Sequence, residues 1–92
     1  MDSKQKTSLF SLGYVVMTPG AAALEADFIP YLVRHAAGDW GDLDAFDKQQ
    51  NDLAIQQGLR ILSAYNIGED TRIWIITEAD RSATTVLLPE EY

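Results

Sequence analysis

Between Arg60 and Leu88 the chain repeats one short pattern three times, and that pattern leaves few folds open. Arg60-Ile-Leu-Ser-Ala-Tyr65, Thr71-Arg-Ile-Trp-Ile-Ile-Thr77 and Ala83-Thr-Thr-Val-Leu-Leu88 are apolar runs of strand length. The middle run is the richest in β-branched and aromatic residues, which suit a pleated, half-buried surface. Asn66–Asp70 and Glu78–Ser82 separate the runs with turn chemistry. Connections this short return a strand beside its predecessor in the opposite direction, because a parallel return needs a crossover of a dozen or more residues. The segment therefore predicts an antiparallel meander stopped by Pro89. In its middle strand Ile73 and Ile75 share a face with Thr71 and Thr77, and Trp74 and Ile76 share the other with Arg72.

The preceding half must supply the cover. Ser8–Met17 reads as one more strand, apolar on both parities, with Gly13 marking a bulge or a close backbone approach. It has to join an edge of the meander. Thr18 can cap a helix and Pro19 suits its first position, so a short helix is expected over Ala21–Ala26. Asp27–Pro30 interrupts it. A second helix should run from Pro30 to Ala37 and close at Gly38. Asp42 or Asp44 should cap a third, running to about Gln57 and ended by Gly58. On a helical wheel Leu43, Phe46, Gln50, Leu53 and Ala54 form the packing arc, and Asp44, Asp47, Lys48 and Asp52 the wet one. The expectation is an α+β fold in the order β-α-α-α-β-β-β, with a four-stranded, mainly antiparallel sheet and the helices on one face. A flexible leader is expected over 1–8 and a single domain over 9–92.

The chain has 92 residues and no cysteine. A domain of this size buries only ~60–65% of its unfolded surface, and neither a disulfide nor a thiolate site can supplement the core. The N-terminal stretch lacks a signal-peptide hydrophobic region, and no run approaches a membrane span; a cytoplasmic location without membrane contact is expected. The net charge of −7 is uneven. Residues 38–55 hold five acids and one base, residues 56–92 six acids and three bases, and residues 1–37 three of each. That balance argues against direct contact with nucleic acid and favours a basic partner or plain solubility.

The candidate chemistry is sparse. His35 is the sole histidine, with Asp39 four residues on. The pair is the basis for an alternative reading as an enzyme or small-ligand domain using His35, Asp39 and Trp40. No serine stands in a nucleophile-elbow context, however, so no catalytic residue is assigned. The expected role of His35 is to cap the carbonyls at the end of its helix, or to pack. Asp39, Asp42, Asp44 and Asp47 lack the spacing of a calcium loop, and no glycine pattern suits a nucleotide, so no metal or cofactor is expected. Trp74 belongs in the core. Trp40, between glycines, is the better interface candidate, although packing over the helix start is favoured for it. Asp80 and Arg81 satisfy a turn, and Arg81 can pair with an acid of the 39–44 loop as a clamp. Carboxylates one helical turn apart are spaced much like the phosphates of a nucleic-acid strand, ~6–7 Å. Asp39, Trp40, Asp42, Asp44, Asp47 and Asp52 are accordingly the expected partner-binding set.

The segments SLGYVVMTPGA, RHAAGDWGDLD, GLRILSAY and IWIITEADRSATTVLLPEEY resemble a family of small bacterial proteins labelled plasmid-related. The likeness spans about residues 9–92. It departs at Ile29-Pro30, where the family places Ser-Pro. The resemblance implies a gene carried on plasmids, integrative elements or prophages. A related short protein is an anti-CRISPR that blocks DNA recognition by a type I-C surveillance complex. The implied function is a non-enzymatic acidic inhibitor, monomeric or weakly dimeric, that occupies the basic DNA-binding surface of a Cascade-type defence complex. The resemblance carries no catalytic residues. A regulatory or ligand-binding domain is the alternative.

Overall fold

The computed structural model describes residues 8–92. The expected leader, apart from Ser8, lies outside the described residues. The elements run β1 (Tyr14–Met17), α1 (Pro19–Ala23), α2 (Ile29–Ala36), α3 (Ala45–Gln57), β2 (Ile61–Asn66), β3 (Arg72–Thr77) and β4 (Ala83–Leu87), then a 3-10 turn at Pro89–Glu91. The predicted order stands, and β2, β3 and β4 form the predicted antiparallel meander.

The sheet order is β1-β4-β3-β2. The sheet is mixed rather than mainly antiparallel, because β1 lies parallel to β4. The cause is directional. The helices carry the chain from β1 across one face to the far edge, where β2 starts in the same direction. A three-strand meander reverses twice, so β4 returns beside β1 with the same polarity. The first strand is also shorter than Ser8–Met17. At Gly13 the backbone passes so close to Ser82 that a Cβ would lie 2.3 Å from the Ser82 carbonyl oxygen, and φ is +65°. The close approach expected at this glycine is therefore real, and it marks where pairing begins.

One sheet face carries both main apolar clusters, while Ala64, Ile76 and Leu87 are buried on the other. Tyr65, Ile73, Ile75 and Val86 pack with Ala21 of α1 and with Phe28 at the start of α2. A second cluster joins Ile61, Trp40 and Ala54 of α3, with Phe10 and Leu43 against it. The opposite face bears Trp74, which meets the ring of Tyr92 at 5.6 Å.

Thr18 caps α1 as expected, accepting from the Ala21 amide at 3.3 Å. Asp44 caps α3, accepting from the Asp47 amide at 2.8 Å. The packing arc of α3 differs from the wheel. Phe46 is 67% exposed, and Leu53 and Gln50 also face solvent, while Asn51 and Ala54 are buried. The helix lies along the edge of β2, not flat on a face. The edge needs a small residue that permits approach, which Ala54 of the expected arc supplies with Leu43 packed beside it, and a side chain that can bond to a strand backbone, which an apolar stripe does not supply.

Asn51 meets that need: its amide donates to the Leu62 carbonyl at 2.6 Å and accepts from the Leu62 amide at 3.3 Å. The next edge groups are taken by the loop before α3. The Ala64 amide donates to the Trp40 carbonyl, the Asp42 amide donates to the Ala64 carbonyl, and the Asn66 amide donates to Asp42 Oδ2. An exposed edge strand invites pairing with other chains; β2 is sealed against it.

Candidate functional site

The loop Gly38-Asp39-Trp40-Gly41 fixes where the acidic residues point. At Gly41 φ is +75°, and a Cβ would sit 2.0 Å from the Ala64 carbonyl oxygen. Only glycine lets the loop lie this close to β2. The turn sends Trp40 inward. Its ring stacks on Phe10 at 6.2 Å and meets the edge of His35 at 5.9 Å, and its indole N–H donates to Asp52 Oδ1 at 3.0 Å. Trp40 is 4% exposed, so it stands in the core rather than on a contact surface, as the favoured packing role required.

Asp39 turns back to Arg34. The guanidinium donates to its two oxygens at 2.8 and 3.4 Å and lies over the Tyr65 ring at 4.6 Å. The bonded Asp39 carboxylate raises the Arg34 pKa further, while burial opposes it. Asp39 also accepts from the Gly41 amide at 3.2 Å. Of the six expected contact residues, Asp39, Trp40 and Asp52 thus serve the loop itself. Their roles depend on which way two glycines turn, which no periodicity in the sequence encodes.

Asp42, Asp44 and Asp47 remain together. They line one side of an open cleft of about 590 Å³, with Gln50 of α3; the sheet supplies Leu62, Ala64, Arg72 and Trp74. Trp74 is half-buried here, on the face away from the helices, rather than in the core where it was expected. Of the two tryptophans, only Trp74 departs from its favoured place. Arg72 donates to Asn66 Oδ1 at 3.2 Å. Among the described residues no group of three His, Asp or Glu side chains is placed to hold a metal ion.

His35 caps nothing. It is fully buried, with Nδ1 2.5 Å from Ser63 Oγ and Nε2 2.9 Å from Thr77 Oγ1. Thr77 Oγ1 is 2.7 Å from Thr84 Oγ1, which donates to the Leu12 carbonyl at 2.7 Å. A carbonyl only accepts, so the proton order follows along the chain. Thr84 donates to Leu12, Thr77 to Thr84, and His35 Nε2–H to Thr77. Burial lowers the imidazole pKa from 6.5 to about 4, so the ring is neutral near pH 7, and in the neutral ring Nδ1 accepts from Ser63. Asp39 is not its partner, so the His35–Asp39 pair of the enzyme alternative is not assembled.

Arg81 does clamp, but on a different target from the 39–44 loop. It has φ +62° and donates to the Leu59 carbonyl at 2.6 Å and the Ala54 carbonyl at 3.0 Å, at the C-terminal end of α3. A cation there also opposes the negative end of the helix dipole. Asp80 accepts from the Ser82 amide at 3.0 Å, the expected turn role; its bonds to Ser82 lower its pKa. Glu91 accepts from Thr18 Oγ1 and the Gly20 and Leu88 amides, and the Thr18 bond leads the causes that lower its pKa.

No protein-family model, curated protein or solved structure matches this chain. The likeness to plasmid-related proteins rests on the quoted segments alone. No helix among the described residues is long and apolar enough to cross a membrane.

Proposed function

We propose that this chain is a non-enzymatic acidic binding protein that occupies a basic, nucleic-acid-binding surface of a partner protein. The observation that carries the proposal is the cleft: three carboxylates, Asp42, Asp44 and Asp47, stand beside a half-buried Trp74, against one guanidinium, Arg72. Carboxylates suit lysine and arginine heads, and an indole face suits a guanidinium plane. The resemblance to mobile-element proteins supplies the partner class, a Cascade-type defence complex in the cytoplasm, with inhibition by competition for its DNA-binding surface. The fully buried His35 supports a non-enzymatic role, since the one imidazole cannot reach a substrate. The contact set narrows to Asp42, Asp44, Asp47 and Trp74: Asp39 is neutralised by Arg34 and Asp52 holds the Trp40 indole, while Asp42 and Asp44 each hold a backbone amide through one oxygen and keep their charge in the cleft.

The test is association with a purified type I-C complex across a salt series, with Asp42→Asn, Asp44→Asn and Asp47→Asn combined. Asparagine keeps the acceptor that holds the Asn66 amide and the cap on α3, so the variant changes charge and little else. Binding should weaken steeply with salt, and the variant should bind about 10- to 100-fold more weakly. Salt-independent binding, or an unchanged triple variant, overturns the proposal.

A further inference from the structure

The two edges of the sheet are treated oppositely. The β2 edge is covered by Asn51, Trp40 and Asp42. The β1 edge, Tyr14-Val-Val-Met17, is bare among the described residues. The Tyr14 and Thr18 amides donate into β4, to the Ser82 and Val86 carbonyls. By alternation along a parallel pair, Val16 also faces β4, while the amides and carbonyls of Val15 and Met17 point outward. No backbone or side-chain group among the described residues bonds them. All four side chains are exposed, with Tyr14 at 83%. The usual protections of a free edge are a lysine, a proline, a bulge or an inward charge, and this strand has none. The chain carries no charged residue between Lys6 and Glu25, although its net charge is −7.

We infer that β1 pairs antiparallel with β1 of a second copy about a two-fold axis through Val16, joining two sheets into one of eight strands. The register follows from the free groups. Val15 must face Met17 of the second copy and Met17 its Val15, each pair exchanging both backbone bonds, with the two Val16 residues at the axis as a non-hydrogen-bonded pair. The opposed strands present no like charges. Val15 and Met17 also form the rim of a cleft of about 180 Å³, shared with Phe28, Ile29 and Leu32, which the facing side chains would cover. Tyr14, Val15, Val16, Met17 and Ile29 expose roughly 500 Å² per copy, so even their complete burial gives about 1,000 Å² for the pair, no more than the lower bound for a specific interface. The dimer is therefore concentration-dependent.

Sedimentation of the full chain over a concentration series should show mass rising from 10.2 kDa toward twice that value. Val15→Pro removes an outward amide and leaves the bonds to β4; it should return the chain to the monomer mass, with circular dichroism reporting an intact fold. The chain has no cysteine, so Val16→Cys places one thiol at the axis, where facing Cα atoms ~4.5 Å apart permit a disulfide. Mild oxidation should convert it to a covalent dimer at least tenfold faster than Leu53→Cys on α3. A wild-type chain that stays monomeric throughout, or equal cross-linking of the two variants, overturns the inference. So does a folded Val15→Pro variant that dimerises like wild type.

Discussion

Acidification should weaken this protein well before its carboxylates titrate, through His35 alone. The imidazole is neutral in the fold, with a pKa lowered to about 4 by burial from 6.5. A depressed histidine contributes stability above its unfolded pKa, and that contribution is lost as pH falls from ~6.5 through ~4. In the window the unfolded chain binds one more proton than the folded one. The full loss is about 3 kcal/mol, against a total stability of roughly 5–15 kcal/mol for a domain of this size. The proton order adds a structural cause: protonating Nδ1 would displace the Ser63 hydroxyl hydrogen inside the core. Urea unfolding at steps from pH ~7.5 to ~5, followed by tryptophan fluorescence, should give a slope near 1.3 kcal/mol per pH unit at its steepest. His35→Gln should be less stable at neutral pH and flat over the same window. The single histidine resonance of the folded protein should remain that of a neutral ring to about pH 5. A folded-state titration near 6.5, or the same slope in the glutamine variant, refutes the reasoning.

Two further outcomes follow from the loop and the sealed edge. Gly41→Ala should cost about 3 kcal/mol or more, because its Cβ meets a carbonyl at positive φ; Gly58→Ala, at φ +69° in open space, should cost only ~1 kcal/mol. Thermal melts compare the two, and equal costs would refute the close approach to Ala64. Asn51→Leu should cost about 2–3 kcal/mol and speed exchange of the Leu62 amide, since it strips both partners from the edge of β2. A change under ~0.5 kcal/mol would mean that water replaces Asn51 there.

The meander, the capped starts of α1 and α3 and the end of α3 were legible because they rest on local chemistry, whereas α1 ends at Ala23 rather than at the expected Ala26. Turn residues, Thr18, Asp44 and Gly58 act within a few residues of themselves, and the structure places them where that chemistry predicts. The packing side of α3 was not legible. Its buried polar residue, Asn51, is chosen by the backbone of Leu62, eleven residues further along the chain. Nor was the place of Trp74, since an indole fits a core and a half-open cleft equally well by composition. Folding pairs Asp39 with Arg34 and Asp52 with the Trp40 indole, and gives Asp42 the Asn66 amide; Asp42, Asp44 and Asp47 still share one cleft because they precede or open one helix.

By itself, then, the sequence determined the order of elements, the antiparallel meander, the helix caps and an acid-rich stretch before and within α3. Each depends on side-chain period or on the conformational limits of glycine and proline, which operate locally. Only the tertiary structure decided that β1 lies parallel to β4 and, among the described residues, bare at its outer edge. It also decided that His35 is a neutral core residue in a hydroxyl chain, and that three aspartates share a cleft with Trp74. Those outcomes depend on which distant backbone groups meet, and long-range pairing is set by the closure of the whole chain.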